Sequence, residues 1–253
     1  MYLKERLAGG ECLIGAGIYS NSVEILEYAV EGMDWIWWEA QHAHGDWQTI
    51  TNGVRMGYAM GIPVLVRTWT HDFGTLEKLL DTGAEGIIVP MVNTPEQASE
   101  IVSHCYYPPV GVRSLGSIRM ECVEKDPDEW NKRVVTIMMI ETPEVMKNAE
   151  AIANVPGVDG LLIGAEDLSL ARGKFVDSKT AHAKVKDDVK YLTEVCRKTG
   201  KAAGVIALSP EDLVERLKEG YQLICANFDV DHARNQFRRM REVFNEAIGN
   251  SGA

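Results

Sequence analysis

Eight short apolar runs, spaced along the chain with amphipathic stretches between them, constrain this sequence more than any other feature. They are Cys12 to Ala16, Trp35 to Trp38, Val64 to Val66, Gly86 to Val89, Val134 to Ile140, Gly160 to Ile163, Ala203 to Ile206 and Leu223 to Ala226. Each run is nearly continuous in apolar residues, as a strand covered on both faces must be. Between them, Ser22 to Glu31, Thr75 to Asp81 and Thr94 to Ser103 repeat apolar residues at helical spacing. Helix starts are marked by Thr142-Pro143-Glu144 and Ser209-Pro210-Glu211, and stops by Gly32, Gly61, Gly83, Gly200 and Gly220. No Gly-, Ser- or Pro-rich linker divides the 253 residues. Eight strand–helix units in one undivided chain predict a single (β/α)8 TIM barrel over residues 1–253. A doubly wound sheet is the alternative. Tyr106 to Asn131 and Lys174 to Asp188 read as added loops or helices.

Composition narrows the function classes. The net charge of −11 disfavours nucleic acid, which wants a basic patch. The one basic cluster, Arg234, Arg238, Arg239 and Arg241, has the spacing of a helix surface. Five cysteines without a CxxC spacing suit a reducing, cytoplasmic setting and give no disulfide or zinc framework. The N-terminal ten residues lack the apolar core of a signal peptide, and no run is long enough to span a membrane.

A barrel carries its chemistry at the C-terminal ends of its strands. Here those ends are polar: Glu39-Ala40-Gln41-His42 after the second run, Arg67 after the third, Glu141 after the fifth, and Gly164-Ala165-Glu166-Asp167 after the sixth. A charge at the end of an apolar strand is costly unless it is paired or meets a ligand. Glu141 and Asp167 end neighbouring strands, and two converging carboxylates repel unless a proton or a cation lies between them. Two oxygen ligands with open positions suit a hard divalent ion, Mg²⁺ or Mn²⁺. His42-Ala43-His44 permits two readings. An HxH metal site would need further histidines at later strand ends. The alternative is a general base at His42, with Glu39 to orient it. His44 then faces solvent or a neighbouring chain. Trp35 and Trp37 read as packing, whereas Trp38 and Trp47 flank the loop and are expected to wall the pocket.

The stretches "QHAHGDWQT", "PVLVRTW", "LLDTGAEGIIVPMVNTPEQA", "YYPPVGVRSLGS", "IETPEVMKN" and "VDGLLIGAEDLSLARG" resemble, in order and spacing, the HpcH/HpaI aldolases. These are class II, metal-dependent pyruvate aldolases, and the likeness covers nearly the whole chain. The resemblance implies aldol cleavage or condensation of a 4-hydroxy-2-oxo acid, giving pyruvate or a close 2-oxo acid and an aldehyde. It implies His42 as base, Arg67 as the binder of the keto-acid oxygens, and Glu141 and Asp167 as ligands of a divalent metal. That metal is Mg²⁺ or Mn²⁺ first, with Co²⁺ or Zn²⁺ also admissible. Gly164, Ala165 and Glu166 would bind the pyruvate carboxylate through backbone amides. Asp81 would reach the base region across a subunit boundary, in a homohexamer built as a trimer of dimers. No lysine stands at a strand end, which disfavours Schiff-base chemistry.

Four positions depart from the family pattern. Glu39 stands for an Asp, Gln41 for an acid, Met139 for a Gln, and Glu166 for a small residue. They leave open oxaloacetate-type decarboxylation through the same enolate, or keto-acid binding with weakened catalysis.

Overall fold

A computed structural model of the chain describes residues 1–249. Each apolar run becomes a strand: β1 (Leu13–Ile18), β2 (Trp35–Glu39), β3 (Val64–Arg67), β4 (Gly86–Val89), β5 (Val135–Ile140), β6 (Gly160–Ile163), β7 (Ala202–Ile206) and β8 (Leu223–Phe228). The strands are parallel and pair in sequence order, and β8 returns to β1. This closed (β/α)8 barrel excludes the doubly wound alternative. The helices are α1 (Leu3–Ala8), α2 (Val23–Ala29), α3 (Trp47–Met60), α4 (Phe73–Asp81), α5 (Pro95–Cys105), α6 (Ile118–Val123), α7 (Pro127–Arg133), α8 (Pro143–Ala153), α9 (Ala165–Ala171), α10 (Ser178–Lys184), α11 (Lys186–Thr199), α12 (Pro210–Lys218) and α13 (Asp229–Ala247). The two added segments supply α6 and most of α7, and α10 with the start of α11.

Local chemistry sets the boundaries. Asp46, Asp72, Thr94, Thr142 and Ser209 cap α3, α4, α5, α8 and α12, each accepting from the third residue of its helix. Gly61 (φ 72°) and Gly200 (φ 69°) end α3 and α11 in the left-handed conformation.

Strand alternation then sorts the core. Trp35, Trp37, Leu65, Val135, Ile137, Met139 and Leu162 point into the barrel, while Ile36, Trp38, Val64 and Val66 point out against the helices. Indole inside a barrel needs room. Gly15 pairs with Trp35 across β1 and β2, and a Cβ there would lie 2.4 Å from the indole. Outside, Trp38 fills the space left by Gly53 of α3, where a Cβ would lie 2.1 Å from its ring. Trp38 therefore belongs to the strand–helix core and does not wall the pocket. Removing such a side chain would cost about 3–5 kcal/mol.

The N-terminal rim is closed by α1, whose Leu3 and Leu7 join the interior cluster. Lys4 fastens it, donating to the Tyr106 hydroxyl (2.6 Å), the Val134 carbonyl (2.9 Å) and Asp159 Oδ2 (3.3 Å).

Candidate active site

The inward rows of β2, β3 and β5 end in charge at the C-terminal rim. Glu39 follows Trp35 and Trp37, Arg67 follows Leu65, and Glu141 follows Val135, Ile137 and Met139. Glu39 and Arg67 are register partners across β2 and β3. All three charges are buried, at 1%, 8% and 2% exposure respectively. Such burial is tolerable only with partners.

Glu39 finds four donors. Its Oε1 accepts the amides of Gln41 (2.8 Å) and His42 (2.9 Å), and its Oε2 accepts Trp37 Nε1 (3.1 Å) and Arg67 Nη1 (3.4 Å). The expected orientation of His42 by Glu39 thus acts on the backbone of the loop and not on the imidazole. From the other side, the Tyr19 hydroxyl donates to the His42 carbonyl at 2.8 Å. The loop is clamped while the His42 side chain stays exposed. His44 is exposed as well.

Glu141 is less well satisfied. Its Oε1 accepts the Met91 amide at 2.6 Å. Its Oε2 lies 3.8 Å from Arg67 Nη2, too far for a hydrogen bond, and has no other partner. Arg67 Nε is also unpartnered. Burial pushes the Glu141 carboxyl above its ordinary pKa. Arg67 and the Met91 amide oppose that shift, while the charges of Asp167 and Glu39 add to it. Asp167 lies exposed in the first turn of α9, with Glu166 exposed beside it. Met139 is buried in the interior row below Glu141.

The Met91 amide was not foreseen from sequence. Met91 has φ 55°, a left-handed conformation that costs a non-glycine residue about 1–3 kcal/mol and clusters at functional sites. A backbone donor leaves no side-chain signature; the only clue was its position just past β4. Gly164 also has a geometric reason. A Cβ there would lie 2.7 Å from Glu141 Cβ and 2.8 Å from Oε2.

One expectation needs correction. The Gly164 amide donates to the Ile140 carbonyl at 3.0 Å, so it is spent on the sheet ladder. Only Ala165 and Glu166, in the first turn of α9, remain of the three proposed carboxylate binders. Asp81 ends α4, which runs back towards the N-terminal rim, and pairs with Arg113 Nη2 at 2.7 Å. Within the chain Asp81 thus meets Arg113 and not His42. Trp47 packs edge-to-face on the exposed Trp69 at 5.4 Å, with Lys78 Nζ 4.3 Å from its ring centre.

The two carboxylates can hold a divalent cation. The unpartnered Glu141 oxygen, the repulsion from Asp167 and the all-oxygen donor set fit a hard ion. Among the described residues no group of three or more His, Cys, Asp or Glu side chains is placed to hold a metal ion.

Comparison with known proteins identifies the family. The family model for HpcH/HpaI aldolase/citrate lyase matches residues 19–236. A hydroxypyruvate/pyruvate aldolase from Chromohalobacter salexigens is 31% identical over 218 residues, 84% of each chain. A 4-hydroxy-2-oxovalerate aldolase from Rhodococcus jostii is 32% identical over 233 residues, 89% of each chain. The crystal structure of an HpcH/HpaI aldolase from Desulfitobacterium hafniense superposes with a TM-score of 0.86 at 26% identity, covering 97% of each chain. A match over most of the chain, on a barrel whose charged residues meet at the C-terminal rim, makes this chain a member of the HpcH/HpaI aldolase/citrate lyase family.

Proposed function

We propose that the chain is a carbon–carbon lyase that cleaves a 4-hydroxy-2-oxo acid reversibly to pyruvate, or a close 2-oxo acid, and an aldehyde. The observation that carries this reading is the unfinished charge cluster at the rim. Arg67 lies between two buried carboxylates, with Glu141 Oε2 and Arg67 Nε both lacking partners. Relatives named as aldolases, about 30% identical over most of the chain, support it.

Glu141 and Asp167 would hold the divalent ion, Mg²⁺ or Mn²⁺ by their oxygen donors, with Co²⁺ and Zn²⁺ as further candidates. Bound there, the ion supplies Lewis-acid stabilisation of negative charge on the substrate oxygens. Arg67, held by Glu39 and Glu141, binds the 2-oxo-acid oxygens and faces the charge that develops on the enolate. His42 takes the proton of the C4 hydroxyl. The C3–C4 bond then breaks, its electron pair passing towards C2 to give the enolate while C4 leaves as the aldehyde. Protonation at C3 completes pyruvate. The amides of Ala165 and Glu166 hold the substrate carboxylate.

Asp81 would act on the His42 of a neighbouring subunit, in a homohexamer arranged as a trimer of dimers. In support of self-association, α13 has no buried residue, and Val230, Phe237, Met240 and Phe244 expose an apolar stripe at helical spacing. Five free cysteines are in keeping with a reducing, cytoplasmic setting, and no described helix is long and apolar enough to cross a membrane.

The test is pyruvate release from a panel of 4-hydroxy-2-oxo acids before and after exhaustive chelation. Cleavage that returns on adding Mg²⁺ or Mn²⁺ is the expected result. Cleavage that survives chelation overturns the metal-dependent reading. Oxaloacetate assayed in parallel separates decarboxylation, which needs no proton from a C4 hydroxyl and so no base at His42.

A further inference from the structure

β2 buries three tryptophans, and their indole N–H groups differ. Those of Trp35 and Trp38 have no hydrogen-bond partner. That of Trp37 donates to Glu39 Oε2 at 3.1 Å. The Trp37 ring is itself fixed, stacked on Trp35 (6.4 Å between centroids, 29°) and meeting Phe228 edge-on (5.6 Å, 79°). Its face also lies 5.8 Å from the Arg67 guanidinium carbon.

A carboxylate offers about four acceptor sites, and Glu39 fills all four. Two donors lie ahead on the His42 loop. Two lie on the other oxygen, Trp37 behind and Arg67 beside it. The methylene that distinguishes Glu39 from aspartate lets one carboxylate span these donors. Without the indole N–H, Oε2 would keep only the long contact to Arg67. The carboxylate would be free to rotate off the Gln41 and His42 amides and to draw Arg67 away from Glu141.

We propose that Trp37 is a positioning residue of the reaction centre: its indole N–H locks the Glu39 carboxylate, and Glu39 in turn sets the His42 loop and Arg67. Trp37 acts on substrate only through these groups. The kinetic side of the inference rests on the aldolase reading above; the structural side does not.

The cleanest probe replaces Trp37 with β-(3-benzothienyl)alanine, which keeps the ring shape but has sulfur in place of N–H. Trp37→Phe and Glu39→Gln complete the set. Hydrogen exchange of the full-length protein is expected to speed up about tenfold or more at the Gln41 and His42 amides in the benzothienyl and Glu39→Gln proteins, with the Thr136 amide at the opposite rim unchanged. In pyruvate-forming cleavage, each Trp37 variant should lose about tenfold in kcat/KM, and adding Glu39→Gln should cause no further loss than Glu39→Gln alone. Unchanged exchange at Gln41 and His42 in the benzothienyl protein overturns the proposal. So does a double variant whose loss is the product of the single losses. A wild-type protein that cleaves no 4-hydroxy-2-oxo acid would refute the functional reading alone, and the exchange measurement would still decide the role of Trp37.

Discussion

The two rims of the barrel each hold a carboxylate near a cation, half-buried at one and buried at the other, and they treat it differently. At the N-terminal rim Asp159 is fully engaged. Lys4 lies 3.2 Å from Oδ1, and Oδ2 accepts the Thr136 amide (2.9 Å), Lys4 (3.3 Å) and the Tyr106 hydroxyl (3.4 Å). At the C-terminal rim Glu141 keeps one oxygen unpartnered, and Arg67 keeps its Nε unpartnered. Burial raises the pKa of both carboxyls. A satisfied network locks α1 onto the barrel, whereas an unsatisfied one holds binding capacity for a ligand. On the proposed function, the contrast separates a site built for stability from one built for chemistry.

The largest effects that test this contrast belong to the C-terminal rim. His42→Ala should lower aldol cleavage about 10²–10⁴-fold while a metal titration remains as in the wild type. Loss of metal binding in that variant would make His42 a ligand and revive the HxH reading. Arg67→Ala should cost about 10²–10³ in turnover and slow exchange of the pyruvate methyl protons, measured by NMR. An unchanged exchange rate would remove Arg67 from enolate formation.

Stability changes should belong to the other rim. Lys4→Ala leaves the half-buried Asp159 without its cation. It should destabilise the fold by about 2 kcal/mol in denaturant unfolding, with kcat/KM of the residual folded enzyme preserved. This deficit should depend on pH in a defined direction. Lys4 holds the Asp159 pKa down against burial, so its removal raises the folded value further above the unfolded one. A carboxyl with a raised folded pKa contributes stability that is fully present below its unfolded pKa, about 3.9, and lost as pH rises through the folded value. The deficit should therefore be smallest near the acid end and fully developed above the variant's folded pKa. A pH-independent deficit would mean that packing, not charge, holds α1.

The smallest effect tests the unfinished network itself. In chelator, Glu141→Gln should stabilise the protein by about 1 kcal/mol, because a buried carboxylate with an unmet oxygen is replaced by a neutral amide. With divalent metal added, the order should reverse, since only the wild type gains from binding. A variant that is less stable under both conditions would put Glu141 in the same structural class as Asp159.

Much of this was legible in the residues. The apolar runs, the Ser, Thr and Asp caps and the stop glycines act locally, so their positions along the chain place the elements. Their places directly after apolar runs put Arg67 and Glu141 at strand ends, where a barrel collects its chemistry. At Trp38 the letters do not say which side of β2 faces the helices. Proximity to the loop suggested a pocket wall, but the space left by Gly53 shows a core residue. The role of Gly164 was misplaced for a similar reason. Its amide is committed to Ile140, and its lack of a side chain serves the close approach of Glu141.

By itself the sequence determined that eight strands alternate with helices, which residues stand at their ends, and that those ends are charged. Only barrel closure decided which of them meet. Glu39, Arg67 and Glu141 come from β2, β3 and the end of β5, and no short-range rule brings them together. Closure also turned a strained Met91 amide onto Glu141 and the Trp37 indole onto Glu39. Hydrogen bonds depend on distances of tenths of an ångström between atoms far apart in the chain, whereas periodicity reports only which face a residue occupies.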